Sequence, residues 1–448
     1  MIDTQNFLIP LDTKKALLVS EVEWGLDELE GLLTTMGGTV GERLMLPKRP
    51  INASTYMGSG KVEEIKTLMD ARGLDLLLVD FDLSPSQLKN IQKVLDKKLV
   101  LDRSGIILEI FNRHARTKES KLQVEMARLQ YLMPRLTNLW SHFERQQGKG
   151  MGEKQIEVDR RLVQDRMIML QRRLKEVEGA RVLHRKHRET LLKVAIVGYT
   201  NAGKSTLLNA LTDSDVLVED ALFATLDATV RLLNPKSRPA ILGIDTVGFI
   251  DRLPHALVAS FRSTLAEVLE ADLLVHVLDA SHPEVKRHFE VTMHVLAELG
   301  AAILSEEELK EDGEKKKSLR QKKMKPPEDA RNIPMLVVFN KMDKCLDVSL
   351  VKVWGASLMR AYETPQPLFI SCHNPKQVEE ARERIMRFFD HAMQTYEVVV
   401  PFEDGKTVAQ IHELGNIEAK RATEKGTFFR VRTMPEFANQ INLSRYKI

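Results

Sequence analysis

Apolar and polar positions alternate along this chain in three distinct rhythms. The first occupies residues 1–112, where short apolar runs trade places with helical spacing. Lys15–Val22 reads as a strand, and Trp24–Met36 has helical spacing at Leu26, Leu29, Leu32 and Leu33 before stopping at Gly37-Gly38. Gly60–Ala71 reads as helix and Leu74–Asp80 as a buried strand. Ser84-Pro85 is a capped helix start, and Val100–Asp102 is a short strand before a helix ending near Asn112. The pattern predicts a compact α/β domain. Met57-Gly-Ser-Gly-Lys61 lacks the spacing of a phosphate loop and reads as a tight turn at a glycine-rich helix start.

The second rhythm is a heptad. Leu122, Met126, Leu129, Met133, Leu136, Trp140 and Phe143 repeat at steps of four and three, with Pro134 placed to break the helix. A glycine-rich break at Gln146–Gly152 follows. A second seam then runs through Val163, Met167, Leu170, Leu174 and Val177. The two seams predict an antiparallel helical hairpin over 113–191. A helix of about 30 residues projects its tip on the order of 45 Å.

The third rhythm, over 192–396, is a series of buried strands each ending in polar residues. Val194–Val197 leads into Gly198-Tyr199-Thr200-Asn201-Ala202-Gly203-Lys204-Ser205 and then the helical Thr206–Leu211. Strand, glycine loop and helix start in that order form a phosphate-binding loop. Its amides and the helix N-terminus would face phosphate oxygens. Lys204 would reach the β- and γ-phosphates, and Ser205 would ligate Mg²⁺. Ala240–Asp245 ends in Asp245-Thr246-Val247-Gly248, where the carboxylate would hold the Mg²⁺ water shell and the Gly248 N–H would sense the γ-phosphate. Met335–Phe339 is capped by Asn340-Lys341-Met342-Asp343. A carboxylate at Asp343 accepts from N1–H and the exocyclic amine of guanine, a pattern adenine lacks. Leu368–Ile370 leads to Ser371-Cys372-His373, whose backbone amides would meet guanine O6. The ligands are therefore GTP or GDP with Mg²⁺. His276, within the strand Leu273–Asp279, reads as a core histidine.

A threonine between Leu211 and Val230 must coordinate Mg²⁺ only when the γ-phosphate is present. Thr225, in Phe223-Ala224-Thr225-Leu226-Asp227, is the choice and Thr229 the rival. Lys204, Thr225 and Gly248 are the candidate catalytic residues, with Ser205 and Thr225 as metal ligands. Phe249 follows Gly248 where many such enzymes carry a water-positioning glutamine. A phenyl ring offers water no hydrogen bond, so slow intrinsic hydrolysis assisted by a partner or another segment is expected.

Composition adds only bounds. The 448 residues, 43% hydrophobic and 29% charged, describe an ordinary globular chain with room for several domains. No apolar run reaches the ~18 residues of a membrane helix. The N-terminus lacks a signal-peptide pattern, so a cytoplasmic address is expected, with peripheral membrane association left open. Two cysteines, Cys345 and Cys372, make neither a disulfide framework nor a zinc site. Charge changes the picture more. The chain nets +3, yet 113–190 carries about nineteen Lys/Arg against about ten Asp/Glu. Arg160-Arg161, Arg172-Arg173 and Arg185–Arg188 suit a nucleic-acid backbone, with a plain solvated face as the alternative. The stretch Leu304–Arg331 turns from acidic to basic with almost nothing apolar, and reads as a mobile insertion. Residues 397–448 form a small C-terminal α+β domain with strands at Tyr396–Pro401 and Thr427–Arg432 and a helix at Thr407–Leu414. The expected architecture is thus α/β: an N-terminal α/β domain (1–112), the long antiparallel hairpin (113–191), a doubly wound P-loop GTPase domain (192–396) and the C-terminal piece (397–448).

Several stretches together resemble the HflX family of GTPases. They are Tyr56–Glu64, Leu101–Phe111, Lys121–Leu129, Gly152–Arg161, Phe223–Asp227 and Asp245–Phe249. The resemblance implies a monomeric factor that binds the large ribosomal subunit in its GTP state, through the hairpin, and splits stalled ribosomes. The family's hairpin tip has a longer Gly-Pro-Gly-Glu run. Here it reads Gln-Gln-Gly-Lys-Gly-Met-Gly-Glu153, a departure that bears on splitting more than on binding. A GTP-gated RNA-binding assembly or dormancy factor is the second reading. An ATP-dependent enzyme is a third, opposed by Asn340–Asp343.

Overall fold

Parallel strands buried on both faces organise the chain into two units. The computed structural model describes residues 14–96, 98–135, 152–186, 191–212, 222–223, 225–226, 229–234, 237–253, 267–299, 301–302, 331–362 and 365–447. Unit one comprises Met1–Gly179, Glu219–Asp227 and Arg252–Ser263; unit two comprises Ala180–Val218, Ala228–Asp251 and Thr264–Ile448.

In unit one, β1 (Lys15–Ser20), α1 (Glu23–Thr35), β2 (Thr39–Met45), α2 (Ser59–Arg72), β3 (Leu76–Val79), α3 (Pro85–Leu95), β4 (Leu99–Asp102) and α4 (Arg103–His114) follow in order. The sheet runs β2-β1-β3-β4 with every pair parallel. Leu76-Leu-Leu-Val79 is buried at all four positions, as a strand covered on both faces requires. The sequence reading passes over β2, because an edge strand reading Thr-Val-Gly-Glu-Arg-Leu-Met has no continuous apolar run. Ser84 closes a capping box with Gln87, as its place before Pro85 predicts. The Met57–Lys61 stretch is a turn with Gly58 at the N-cap of α2. At the centre, the fully buried Arg103 guanidinium is paired with Asp80 at 2.6 Å and with Glu28.

The hairpin forms as its seams predict. Helix α5 (Lys118–Leu132) gives way to a 3-10 turn at Met133–Arg135, which contains Pro134. Helix α6 spans Gly152–Lys186. Leu122, Met126 and Leu129 share one buried cluster with Val163 and Leu170, edged by Met133, Met167, Leu174 and Val177. Leu136, Trp140, Phe143, the tip residues 146–151 and positions 187–188 lie outside the described residues.

In unit two the strands are β5 (Leu192–Gly198), β6 (Thr229–Leu232), β7 (Ile241–Asp245), β8 (Leu273–Asp279), β9 (Met335–Asn340) and β10 (Leu368–Phe369), and the helices α7 (Lys204–Leu211), α8 (Val285–Leu299), α9 (Val348–Tyr362) and α10 (Pro375–Ala392). The sheet order is β10-β9-β8-β5-β7-β6, parallel except for β6 against β7. With β7 on one side of β5 and β8 on the other, the order reverses at β5. A crevice for ligand follows at its C-terminal end. His276 on β8 is fully buried and stacks on Phe289, the core role expected of it. The proposed insertion is bracketed by a short parallel pairing of Ala301–Ala302 with Arg331–Asn332, and 303–330 lie outside the described residues.

The C-terminal piece is an antiparallel sheet, β11 (Gln394–Val400), β13 (Gly426–Thr433) and β12 (Asn416–Thr423) in that spatial order, with α11 (Gly405–Leu414). Strand β12 escapes sequence reading because its side chains are almost all exposed. Val398, Val400, Ile411, Phe429 and Val431 lie in the same buried cluster as Val194, Ile196 and Leu208, joined through Val378, Ile385 and Phe389 of α10. The tail therefore shares a core with the nucleotide domain.

Candidate nucleotide site

The loop between β5 and α7 bends at two glycines for which no other residue would serve. Gly198 has φ +149°, and a Cβ there would lie 2.2 Å from the Val277 carbonyl oxygen. Gly203 has φ +94° and would meet Asn340 Nδ2 at 2.2 Å. Lys204, directly after Gly203, is buried, and its Nζ donates to the Tyr199 carbonyl at 2.8 Å. Burial lowers the Lys204 pKa to about 8, against the Asp245 carboxylate, which raises it. Ser205 Oγ donates to Asp245 Oδ2 at 2.5 Å, so the hydroxyl and carboxylate expected around Mg²⁺ are neighbours. The Thr246 hydroxyl donates to the Ile196 carbonyl at 2.8 Å and binds the β7 end to β5.

Asn340 is the hub of the base side. Its Nδ2 donates to the Ala202 carbonyl at 3.0 Å, and its Oδ1 accepts from the Cys372 amide at 3.1 Å. One buried side chain thus links the phosphate loop to the Ser371–His373 loop. Lys341, left-handed at φ +59°, donates to the Asn201 carbonyl at 2.8 Å and pairs with Asp279 at 2.8 Å. Asp343 stands exposed after it on a 3-10 turn spanning Met342–Lys344. The Ser371 hydroxyl, foremost, holds the Asp343 carboxyl below its usual range, which keeps it an acceptor. The Ser371 amide donates to Gln377 Oε1 at 2.7 Å and the His373 amide to Ser371 Oγ at 3.3 Å. The three amides expected to meet guanine O6 therefore all have acceptors inside the protein. Burial, then Asp343, pushes the Cys372 thiol up to about 12, so it is an inert packing group.

The structure brings Gly198–Ser205, Asp245–Gly248, Asn340–Asp343 and Ser371–His373 to one end of one sheet. Of the Phe223–Asp227 stretch, Phe223, Thr225 and Leu226 belong to unit one, and Ala224 and Asp227 lie outside the described residues. Phe223, at φ +58°, is buried edge-on against Phe111 at 4.6 Å, and the Leu222 amide donates to Thr35 Oγ1 at 3.2 Å. The rival Thr229 sits in β6 opposite Asp245.

Sequence reasoning missed how the loop is braced. Tyr199 stacks on His288 of α8 at 3.8 Å, and its hydroxyl accepts from the Asp251 amide at 2.9 Å. Arg287 pairs with the Asp251 carboxylate at 3.1 Å. Burial holds His288 neutral, with its pKa lowered to about 3. An aromatic residue inside a phosphate loop was the available signal. Among the described residues no helix is long and apolar enough to cross a membrane.

Comparison with known proteins finds relatives along most of the chain. Residues 193–341 match a family model described as 50S ribosome-binding GTPase, 23–112 one for the GTP-binding GTPase N-terminal region, and 114–188 one for the GTP-binding GTPase middle region. A protein of Gluconacetobacter diazotrophicus named GTPase HflX is 38% identical over 458 residues, covering 94% of both chains. A protein of the same name from Magnetococcus marinus is 39% identical over 417 residues, covering 92% of this chain and 88% of its own. A GTP-binding protein of Sulfolobus solfataricus, solved in complex with GDP, is 25% identical with a TM-score of 0.44, covering 84% of this chain and 98% of its own.

Proposed function

The chain belongs to the HflX family of GTPases, and from that premise we propose a nucleotide-gated ribosome factor. It binds guanine nucleotide and hydrolyses GTP. In the proposed cycle, the GTP state licenses the basic hairpin to bind rRNA of the large ribosomal subunit, hydrolysis releases it, and a monomer splits or rescues stalled ribosomes. The proposed domain division is 1–112, 113–191, 192–396 and 397–448.

Within the site, Lys204 would neutralise the β- and γ-phosphates and the Gly248 amide would report the γ-phosphate. Ser205 and Thr225 would hold Mg²⁺, which supplies charge neutralisation between the phosphates. The 2.5 Å contact of Ser205 with Asp245 suits a hard, oxygen-seeking ion. Thr225 is the proposed switch threonine, with Thr229, opposite Asp245 in β6, as its rival. Asp343 would read the guanine N1–H and amine.

The observation that carries the proposal is on α6. Val163 and Leu170 face the apolar seam, whereas Arg160, Arg161 and Arg173 are exposed and have no ion-pair partner among the described residues. A solvated helix surface pairs its charges; this one leaves cations for a polyanion. The test is cosedimentation with ribosomal subunits in a GTP analogue and in GDP. Arg160→Glu with Arg161→Glu should weaken analogue-dependent binding and flatten its salt dependence. Equal binding in the two nucleotides, or an unaltered salt slope, overturns the proposal. Light scattering of intact ribosomes then separates splitting from an assembly or dormancy role, in which binding occurs without dissociation.

A further inference from the structure

Phe249 is not merely the wrong residue for orienting water; its whole backbone is in use. The Thr200 amide donates to the Phe249 carbonyl at 2.8 Å, and the Phe249 amide donates to the Gly198 carbonyl at 3.1 Å. These bonds make a parallel bridge between Tyr199 and Phe249, and the Phe249 ring is 1% exposed. Hydrolysis nevertheless needs a group that fixes the attacking water in line with the γ-phosphate.

The residue that follows Tyr199 in that bridge has an idle hydroxyl. Thr200 is 6% exposed, and its Oγ1 is buried with no hydrogen-bond partner among the described residues. A buried unpaired hydroxyl costs free energy that valine in the same place would not. The loop's own fold supplies no use for it. Its neighbours say where it stands. A Cβ on Gly248 would meet Thr200 Cγ2 at 2.8 Å, Thr200 Cα at 2.9 Å and Lys204 Nζ at 3.0 Å. The Thr200 side chain, the Gly248 backbone and the Lys204 ammonium therefore converge on one spot. Lys204 and Gly248 are the two groups that meet the terminal phosphate in enzymes built this way.

We propose that the Thr200 hydroxyl finds its partners only when GTP is bound, donating to a γ-phosphate oxygen and accepting from the attacking water. A hydroxyl has one donor and two acceptor positions, enough for both. In the step it serves, the water oxygen bonds to the γ-phosphorus and the bond from that phosphorus to the bridging oxygen breaks. GDP leaves, and the water's proton ends on inorganic phosphate. Thr200 orients the water and exchanges no net proton. It thus performs in cis the hydrogen bonding that Phe249 cannot.

The test compares Thr200→Val with Thr200→Ser in the full chain. Fluorescent GDP, GDP with aluminium fluoride as a mimic of the transferring phosphoryl group, single-turnover hydrolysis and melting temperature are measured. With valine, GDP affinity should stay within about twofold while the aluminium fluoride complex weakens and hydrolysis slows by about tenfold. The ligand-free valine variant should melt no lower than the parent, and serine should restore both losses. Hydrolysis at the parental rate in the valine variant overturns the proposal. So does an equal loss of GDP binding, which would mark a structural role. A lowered melting temperature with valine also overturns it, because the hydroxyl would then have a partner within the fold.

Discussion

Replacing Asn340 by alanine should weaken GDP and GTP by the same large factor. The side chain is 2% exposed and makes two bonds at once, to the Ala202 carbonyl and from the Cys372 amide. Ala202 is 1% exposed, so truncation strands its carbonyl away from water. Losing two bonds and burying unsatisfied groups costs about 2–4 kcal/mol. If that cost falls on the bound state, where both loops must be in place, affinity drops about 30- to 700-fold at 1.4 kcal/mol per decade. Fluorescent-nucleotide titration with GDP and with a non-hydrolysable GTP analogue measures it. The analogue-to-GDP ratio should not move, because the two bonds brace the phosphate loop and the base loop that both ligands share, and neither serves the γ-phosphate that alone distinguishes them. A loss under about threefold, or one confined to the analogue, would show that the two loops are held together by something else.

Lys204 sets a pH limit. Its pKa near 8 means the ammonium is lost as pH rises through that value, and a bound phosphate must then recruit a proton. GDP affinity should be flat below pH 8 and fall by about tenfold per unit above it; equal affinity at pH 7 and about 9.5 refutes the assignment. Among the described residues His276 has no partner on either ring nitrogen, so His276→Leu should match or exceed the parent's melting temperature at pH 7. Burial depresses the His276 pKa to about 3, so the unfolded chain takes up its proton first as pH falls below about 6.5. Stability should therefore drop between those values in the parent and drop less in the leucine variant, as read by melting temperature against pH; identical acid limbs would refute it. Arg103→Met removes the nearest cation from the 2%-exposed Asp80 carboxylate, leaving it the Ser20 hydroxyl at 2.9 Å and Arg252 at 3.8 Å, and should cost about 3 kcal/mol in urea unfolding of the full chain, an unmoved midpoint being the contrary result.

Legibility in this chain followed locality. The β5–loop–α7 unit, the Ser84-Pro85 start and the Pro134 break are decided by residues a few positions apart, and each stands where the pattern puts it. The two seams of the hairpin were legible for the same reason, since a heptad is a local code for a distant partner. Strands β2 and β12 were not, because an exposed edge strand is held by backbone bonds to its neighbour and needs no apolar signal of its own.

What the sequence determined by itself was residue type at short spacing: a glycine loop ahead of Lys204-Ser205, an Asn-Lys-Met-Asp run ending in Asp343, a phenylalanine after Gly248, and a surplus of cations over 113–190. These are statements about residue types at short spacings, and short spacings survive in one dimension. The tertiary structure decided which groups are already spoken for. Asn340 reaches Ala202 across 138 positions, and Tyr199 receives the Asp251 amide across 52. Thr200, whose side chain packs beside Gly248 and Lys204, has a hydroxyl with no partner among the described residues. Whether a polar atom is satisfied depends on everything packed around it, and that set is chosen by the fold.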